Sequence, residues 1–294
     1  MGVYIALDVG GTSVSAALVS SNGRFVTPVK TYKANSNSDK ETILNNLAYI
    51  IKEQYQLAKT LNIDITGIGI GFPGPFDYEN GISLIKNIGK YDSIYGVNIN
   101  KELHNMLGLN VDIRFCNDAD LYCMGECVFG VGKYYNRCMC ICIGTGIGSG
   151  FFADGKLVKS SPDVPENGWI YNTPYRDGIV DEYLSATGIR RMMLEYPETA
   201  RINSVKELAE SARAGLPRAI EIFNEFGRML SEVIPQFAIS FGAECLILGG
   251  DVSRSCDLFD KPLTEKLAEY NIKVVPSKTF ADNTLLACSL LFDE

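Results

Sequence analysis

Residues 3–19 read VYIALDVGGTSVSAALV. The run 3–9 is a strand pattern, Gly10-Gly11-Thr12 a turn, and 14–19 a second strand. Ser21-Asn22-Gly23-Arg24 is a hairpin signal that leads into a third strand over 25–32. The pattern returns later. CMCICI (138–143) is a strand, Gly144-Thr145-Gly146-Ile147-Gly148 a glycine turn, and 149–153 a strand ending at Asp154-Gly155-Lys156. Gly11-Thr12 falls on Gly144-Thr145, and Asn22-Gly23-Arg24 on Asp154-Gly155-Lys156 with one residue of gap. This is a weak internal duplication.

Outward from these hairpins the period changes. A helix is predicted over about 40–61, with Ile43, Leu47, Ile50, Ile51 and Leu57 on one face. A buried strand at 65–71 ends in Phe72-Pro73-Gly74-Pro75, and a helix near 99–108 precedes a strand near 111–116. After the second hairpin, 185–241 is mostly helical, with Pro235 expected to kink the last helix. A strand at 245–248, a helix near 261–269, a strand near 272–275 and a helix near 281–292 close the chain. A β-hairpin followed by βα units, twice over, predicts an α/β protein of two related domains.

Composition sets limits. The 294 residues suit two domains, and 46% hydrophobic with 21% charged residues is ordinary globular usage. The formal net charge is −8 and no Lys/Arg cluster stands out, so nucleic acid is not an expected partner. An anionic substrate would then need local donors, since the global field repels it. No apolar run approaches a membrane span and no signal peptide is read at the N-terminus, so a cytoplasmic protein is expected. Nine cysteines form no CxxC pair. Cys138, Cys140 and Cys142 alternate along their strand and should face one side as small apolar groups. With one histidine, His104, and no ligand-spaced partner for it, no zinc site is expected.

Three glycine turns each follow a strand: Gly10-Gly11-Thr12, Gly144-Thr145-Gly146-Ile147-Gly148 and Gly249-Gly250. Glycine lets backbone N–H groups approach phosphate oxygens, and Thr12 and Thr145 add hydroxyls. Asp8, at a strand end, could hold Mg²⁺ through water. Tight turns without a ligand are the alternative, and three together favour a nucleotide such as ATP. No GxxxxGK(S/T) occurs, so the chain has no P-loop. Gly69-Ile70-Gly71-Phe72-Pro73-Gly74 matches GxGxxG formally, but Pro73 and Pro75 bracket Gly74 and no helix opens there. It reads as a substrate-side loop instead of a dinucleotide turn. Asn117-Asp118 ends the strand at 111–116. Asp118 could accept a proton from an attacking hydroxyl while Asn117 fixes a neighbouring one, with a helix N-cap as the competing role.

ALDVGGTSVSAALV, GFPGPFDYENG, Asn87 ahead of Tyr95-Gly96, CNDADLYCMGE, GTGIGSGFFADG and LILGGDVS occur in that order. Together they resemble the ROK family (repressor, open reading frame, kinase), whose kinases phosphorylate sugars. The resemblance implies a duplicated actin-like, ribonuclease H-like fold with a cleft between domains, here 1–117 plus 281–294 and 118–280. It implies ATP and Mg²⁺ on two phosphate loops, Asp118 as general base, and sugar contacts from Asn87 and Asn117. It also implies a homodimer or homotetramer. Where relatives carry Glu-x-Gly-His and a zinc-binding cysteine cluster, this chain reads Glu166-Asn167-Gly168-Trp169 and has no Cys between Trp169 and Asp181. Glu166 keeps a sugar-binding position, Asp181 stands where a second Glu is usual, and Trp169 either packs or stacks on a sugar. The expected function is ATP-dependent phosphorylation of a hexose, amino sugar or glycoside. A silent sugar sensor and a polyphosphate-dependent glucokinase are the alternatives.

Overall fold

The computed structural model describes residues 2–279 and 282–293. The chain divides into two compact units, Met1–Leu121 with Asp282–Glu294, and Tyr122–Ala281. The expected return of the chain at 280–281 lies outside the described residues.

The first unit begins with β1 (Val3–Val9) and β2 (Ser13–Ser20), an antiparallel hairpin registered from Val3↔Ser20 to Val9↔Val14. The third strand predicted over 25–32 is instead two short ones, β3 (Arg24–Phe25) and β4 (Lys30–Lys33), both paired with β2. Pro28 lies between them and has no N–H for a ladder. Helix α1 (Lys40–Thr60) starts where Asp39 Oδ1 accepts the Thr42 N–H at 2.9 Å. Its buried stripe holds Ile43, Leu47, Ile50 and Ile51, each burial contributing about 1.5–3 kcal/mol. The stripe then continues through Gln54 and Ala58, so Leu57, expected on this face, is exposed.

Strand β5 (Gly67–Phe72) follows, then short β6 (Phe76–Asp77) and β7 (Ile82–Ser83). Helix α2 (Ile99–Leu107) is capped by Asn98 and stops at Gly108, whose φ is 61°. Strand β8 (Asp112–Asn117) completes a sheet of order β3-β2-β1-β5-β8, in which β1, β5 and β8 run parallel. Helix α3 (Asp118–Val128) starts directly from β8.

The second unit repeats that order. Strands β9 (Arg137–Ile143) and β10 (Ile147–Ala153) form a hairpin, and β11 (Lys156–Leu157) extends it. Short strands β12 (Pro174–Tyr175) and β13 (Gly178–Ile179) lead into helices α4 (Val180–Tyr183), α5 (Ala186–Leu194), α6 (Pro197–Ala200) and α7 (Val205–Arg213). Helix α8 (Pro217–Phe241) runs through Pro235 and stops at Gly242. Strand β14 (Cys245–Gly249), helix α9 (Lys261–Ala268) and β15 (Lys273–Pro276) end the unit. Its sheet order is β11-β10-β9-β14-β15, again one hairpin and then parallel strands. The duplication therefore reaches all five strands, beyond the hairpins where the sequence shows it. Helix α10 (Asp282–Ala287) belongs to the first unit and gives way to a 3₁₀ turn through Phe292, where one helix to 292 was expected.

Strand β9 has two faces. Met139, Ile141 and Ile143 join the large apolar core of the second unit. Cys138 and Cys140 face a smaller cluster with Tyr122, Cys123, Cys127 and Cys245, and Cys142 packs beside it. The alternation in CMCICI is thus two-sided burial. No helix of the described residues is long and apolar enough to cross a membrane.

Candidate active site

Parallel strands deliver their carboxyl ends to one edge of a sheet, where ligands of open α/β sheets bind. In the first unit the register aligns Asp8 with Gly71 and Gly71 with Cys116. Asp8, the Phe72-Pro73-Gly74 stretch, Asn117 and Asp118 are therefore brought to one edge by three adjacent strands. Gly69 and Gly71 are interior positions of β5, so the formal GxGxxG match is a strand and not a nucleotide turn.

Asn117, the residue before Asp118, caps helix α3. Its Oδ1 accepts the N–H groups of Ala119 at 3.0 Å and Asp120 at 3.2 Å. Its Nδ2 donates to Tyr78 Oη at 3.0 Å, and Tyr78 Oη donates to the Phe72 carbonyl at 3.1 Å. Tyr78 was not singled out in the sequence, because a single tyrosine after Phe76-Asp77 carries no pattern. A Cβ on Gly74 would lie 3.1 Å from Tyr78 Oη and 3.8 Å from Asn117 Nδ2, so glycine keeps that corner open.

Asp118 Oδ1 accepts the Ala119 N–H at 2.9 Å. Burial pushes its carboxyl above the ordinary aspartate range, while the Ala119 N–H and the Lys90 charge pull the other way. The Asp8 carboxyl is pushed up to about 7, by burial first and by the Asp118 charge second. Two interacting carboxylates at a strand edge are a donor set suited to a hard cation such as Mg²⁺. Asn87, by contrast, is exposed with φ 61°, a conformation asparagine tolerates.

The glycine turn after β1 is braced from behind. Its three carbonyls accept from Tyr91 Oη (Gly10, 2.8 Å), Ser36 Oγ (Gly11) and the Ala34 N–H (Thr12, 3.0 Å). The turn after β9 in the second unit is held the same way. The Gly144 carbonyl accepts from the Ala186 N–H at 2.9 Å, that of Thr145 from Thr187 Oγ1 at 2.8 Å, and that of Gly146 from the Gly144 N–H at 2.8 Å. Both turns thus spend their negative ends on protein donors. Gly144 is open, since a Cβ there meets only the Gly146 carbonyl at 3.9 Å. The Cα of Gly148 pairs with that of Cys142 in the hairpin.

Other expected contacts have structural duties. Asp181 Oδ1 accepts the Ile147 N–H at 2.7 Å and would sit 2.6 Å from a Cβ on Gly146, so this carboxylate props the second glycine turn. Gly249 and Gly250 are required by packing. A Cβ on Gly249 would lie 2.0 Å from Tyr122 Oη, and one on Gly250, at φ 81°, 2.4 Å from the Ile143 carbonyl. Glu166 is exposed at a short 3₁₀ turn, and Trp169 is half-buried with its ring 5.9 Å from Tyr171. Ser149 Oγ fixes this segment, donating to the Gly168 carbonyl at 2.6 Å and accepting the Ile170 N–H at 3.1 Å.

The residues at 166–181 do not fit a His/Cys zinc site, since Trp169 offers no ligand atom there. Elsewhere the Sγ atoms of Cys123, Cys127 and Cys140 lie within 4.8 Å of one another, a grouping that strand alternation alone did not anticipate. Helix α3 supplies two of the three. The Cys127 thiol is pushed up to about 11, through its Cys123 neighbour first, and burial drives Cys140 well above its usual range. Without a metal the Cys127 and Cys140 thiols stay protonated at neutral pH and pack as apolar groups.

Two sheets that share a five-strand order, the first with β4 as an extra strand on β2, each carry a braced glycine turn after the first strand of the hairpin, and together they define a duplicated actin-like, ribonuclease H-like fold. The model of the ROK family matches residues 4–288, and the chain belongs to that family. A glucokinase of Thermotoga maritima is 28% identical over 321 residues, covering 99% of this chain and 97% of the relative. A beta-glucoside kinase of Listeria monocytogenes is 32% identical over 155 residues, covering 52% and 48%. Among solved structures, a ROK family glucokinase from Streptomyces griseus in complex with glucose and AMPPNP superposes with TM-score 0.77 at 22% identity, covering 99% of each chain. A ROK family transcriptional regulator superposes with TM-score 0.82 at 20% identity, covering 98% of this chain and 77% of that one.

Proposed function

We propose that this protein is an ATP-dependent sugar kinase with Asp118 as general base. The observation that carries the reading is the edge formed by β1, β5 and β8, where Asp118 stands beside Asp8 and a braced glycine turn. A regulator shares the fold, so the fold does not choose between kinase and sensor. A half-buried carboxylate at a phosphate turn does favour the kinase, because a sensor has no use for a base.

Each unit offers one braced glycine turn to phosphate, Gly10-Gly11-Thr12 in the first and Gly144–Gly148 in the second, and in both the carbonyls are already engaged. Gly249 and Gly250 shape the backbone beyond β14 for the nucleotide and touch it only through main chain. Asp8 is the residue that would hold Mg²⁺, through water, and the ion would neutralise phosphate charge when bound. Asp118 takes the proton from the sugar hydroxyl as that oxygen attacks phosphorus. Its raised pKa brings it nearer the working pH, which suits a general base. Asn117 has one amide hydrogen left for a sugar oxygen once its cap and Tyr78 bonds are counted. In the first unit Asn87 is a further candidate sugar contact and Gly74 leaves room beside Asn117 and Tyr78; in the second, Glu166 and Trp169 are the candidates, and Asp181 acts mainly through the Gly144–Gly148 turn. No zinc is required for this chemistry.

Turnover by Asp118→Asn tests the reading, with a coupled ADP-release assay over hexoses, N-acetylhexosamines and β-glucosides. The variant should lose about 10²–10⁴ in kcat while AMPPNP binding survives. Retention of more than about a tenth of kcat would refute the base assignment. Supplying polyphosphate in place of ATP in the same assay identifies the donor.

A further inference from the structure

The chain is acidic overall, so the charge of a nucleotide phosphate must be met by a cation at the site. Lys90 is placed to be that cation. The residues on either side of it are fixed. The Gly89 N–H donates to Asp92 Oδ2 at 2.9 Å, and the Ile88 N–H to Asp92 Oδ1 at 3.1 Å. Tyr91 is buried, with φ 60° and its ring 5.1 Å from that of Phe72. Its N–H donates to the Ser36 carbonyl at 2.6 Å and its hydroxyl to the Gly10 carbonyl at 2.8 Å. Tyr91 thus ties the loop to the first glycine turn, and the adjacent Lys90 side chain is laid across that turn. A Cβ on Gly11 would be 3.1 Å from Lys90 Cδ and 3.8 Å from Nζ. Lys90 is half-buried there, and its charge is felt by Asp118. A lysine kept only for solubility would extend into water, not lie across a glycine that leaves it room.

We propose that Lys90 is a further catalytic residue, whose ammonium contacts the γ-phosphoryl oxygens held on Gly10-Gly11-Thr12. The proposal rests on the kinase reading above. In the transfer the sugar oxygen forms a bond to the γ-phosphorus, the bond from that phosphorus to the β–γ bridging oxygen breaks, and the hydroxyl proton passes to Asp118. ADP leaves with the bridging oxygen. Lys90 stays protonated throughout and offsets charge on the equatorial oxygens.

The test compares wild type, Lys90→Met and Lys90→Arg in the full chain, by steady-state kinetics and by calorimetric titration with Mg-AMPPNP and Mg-ADP. Lys90→Met should lower kcat by about 10²-fold, with the KM for sugar little changed. It should weaken AMPPNP about tenfold and ADP less than about twofold, because only the former carries a γ-phosphoryl group. Lys90→Arg should recover part of kcat by keeping the charge. A Lys90→Met kcat within about threefold of wild type overturns the proposal. So does equal weakening of ADP and AMPPNP, which would mean general damage to the turn. If the wild type phosphorylates no sugar, the kinase reading fails. The AMPPNP–ADP difference then decides the Lys90 contact alone, its presence supporting the contact and its absence overturning it.

Discussion

Asp8 and Asp118 are two acids that cannot both ionise freely. In an unfolded chain Asp8 would titrate near its ordinary value of 3.8, and in the folded protein near 7. Between those values the folded state binds more protons, so stability falls as pH rises through that window. Asp8→Asn removes the penalty. In urea unfolding of the ligand-free protein it should exceed wild type at about pH 8, by up to about 4 kcal/mol, and match it below about pH 4. Equal pH dependence of the two proteins would show that Asp8 is solvated. Trp169 is the other residue with a test of its own. Half-buried beside Tyr171, it can still present a ring edge or face. Trp169→Ala should raise the KM for the true sugar more than it lowers kcat, and unchanged kinetics would make it a packing residue.

Turns are where residue chemistry becomes element geometry. Gly155 and Gly250 both have φ 81°, but a Cβ on Gly155 meets nothing within 4 Å and one on Gly250 meets Ile143 at 2.4 Å. Alanine should therefore cost about 1 kcal/mol at Gly155 and clearly more, about 2–4 kcal/mol, at Gly250. Equal costs in equilibrium unfolding would mean that φ alone demands glycine there. The same comparison explains what was legible. That glycine stood in all three turns was plain in the sequence, as was its Asn117-Asp118 pair. Why glycine stood there was not, because a backbone approached by phosphate and one approached by Tyr122 or Ile143 require the same residue. Asp181 was legible as an acid near the site but not as a prop for Ile147, since the contact spans 34 positions.

Across the whole molecule the net charge of −8 repels ATP, and only local groups such as Lys90 attract it. Raising ionic strength from about 20 to about 200 mM should thus increase kcat/KM for ATP modestly, by less than about threefold. A fall over that range would show that a positive field at the site dominates.

The sequence by itself determined the hairpin-and-glycine repeat, the α/β class and the motif order, because strand alternation, turn residues and helix caps act over a few residues and leave a local trace. It also exposed the loss of the histidine at Trp169. Only the tertiary structure decided that the repeat extends to five strands in each sheet, that three strand ends bring Asp8, Gly74 and Asp118 together, and that Tyr78, Tyr91 and Lys90 attend them. Those contacts join residues tens of positions apart, and no periodicity in a chain encodes which distant side chain will fill the space a glycine leaves.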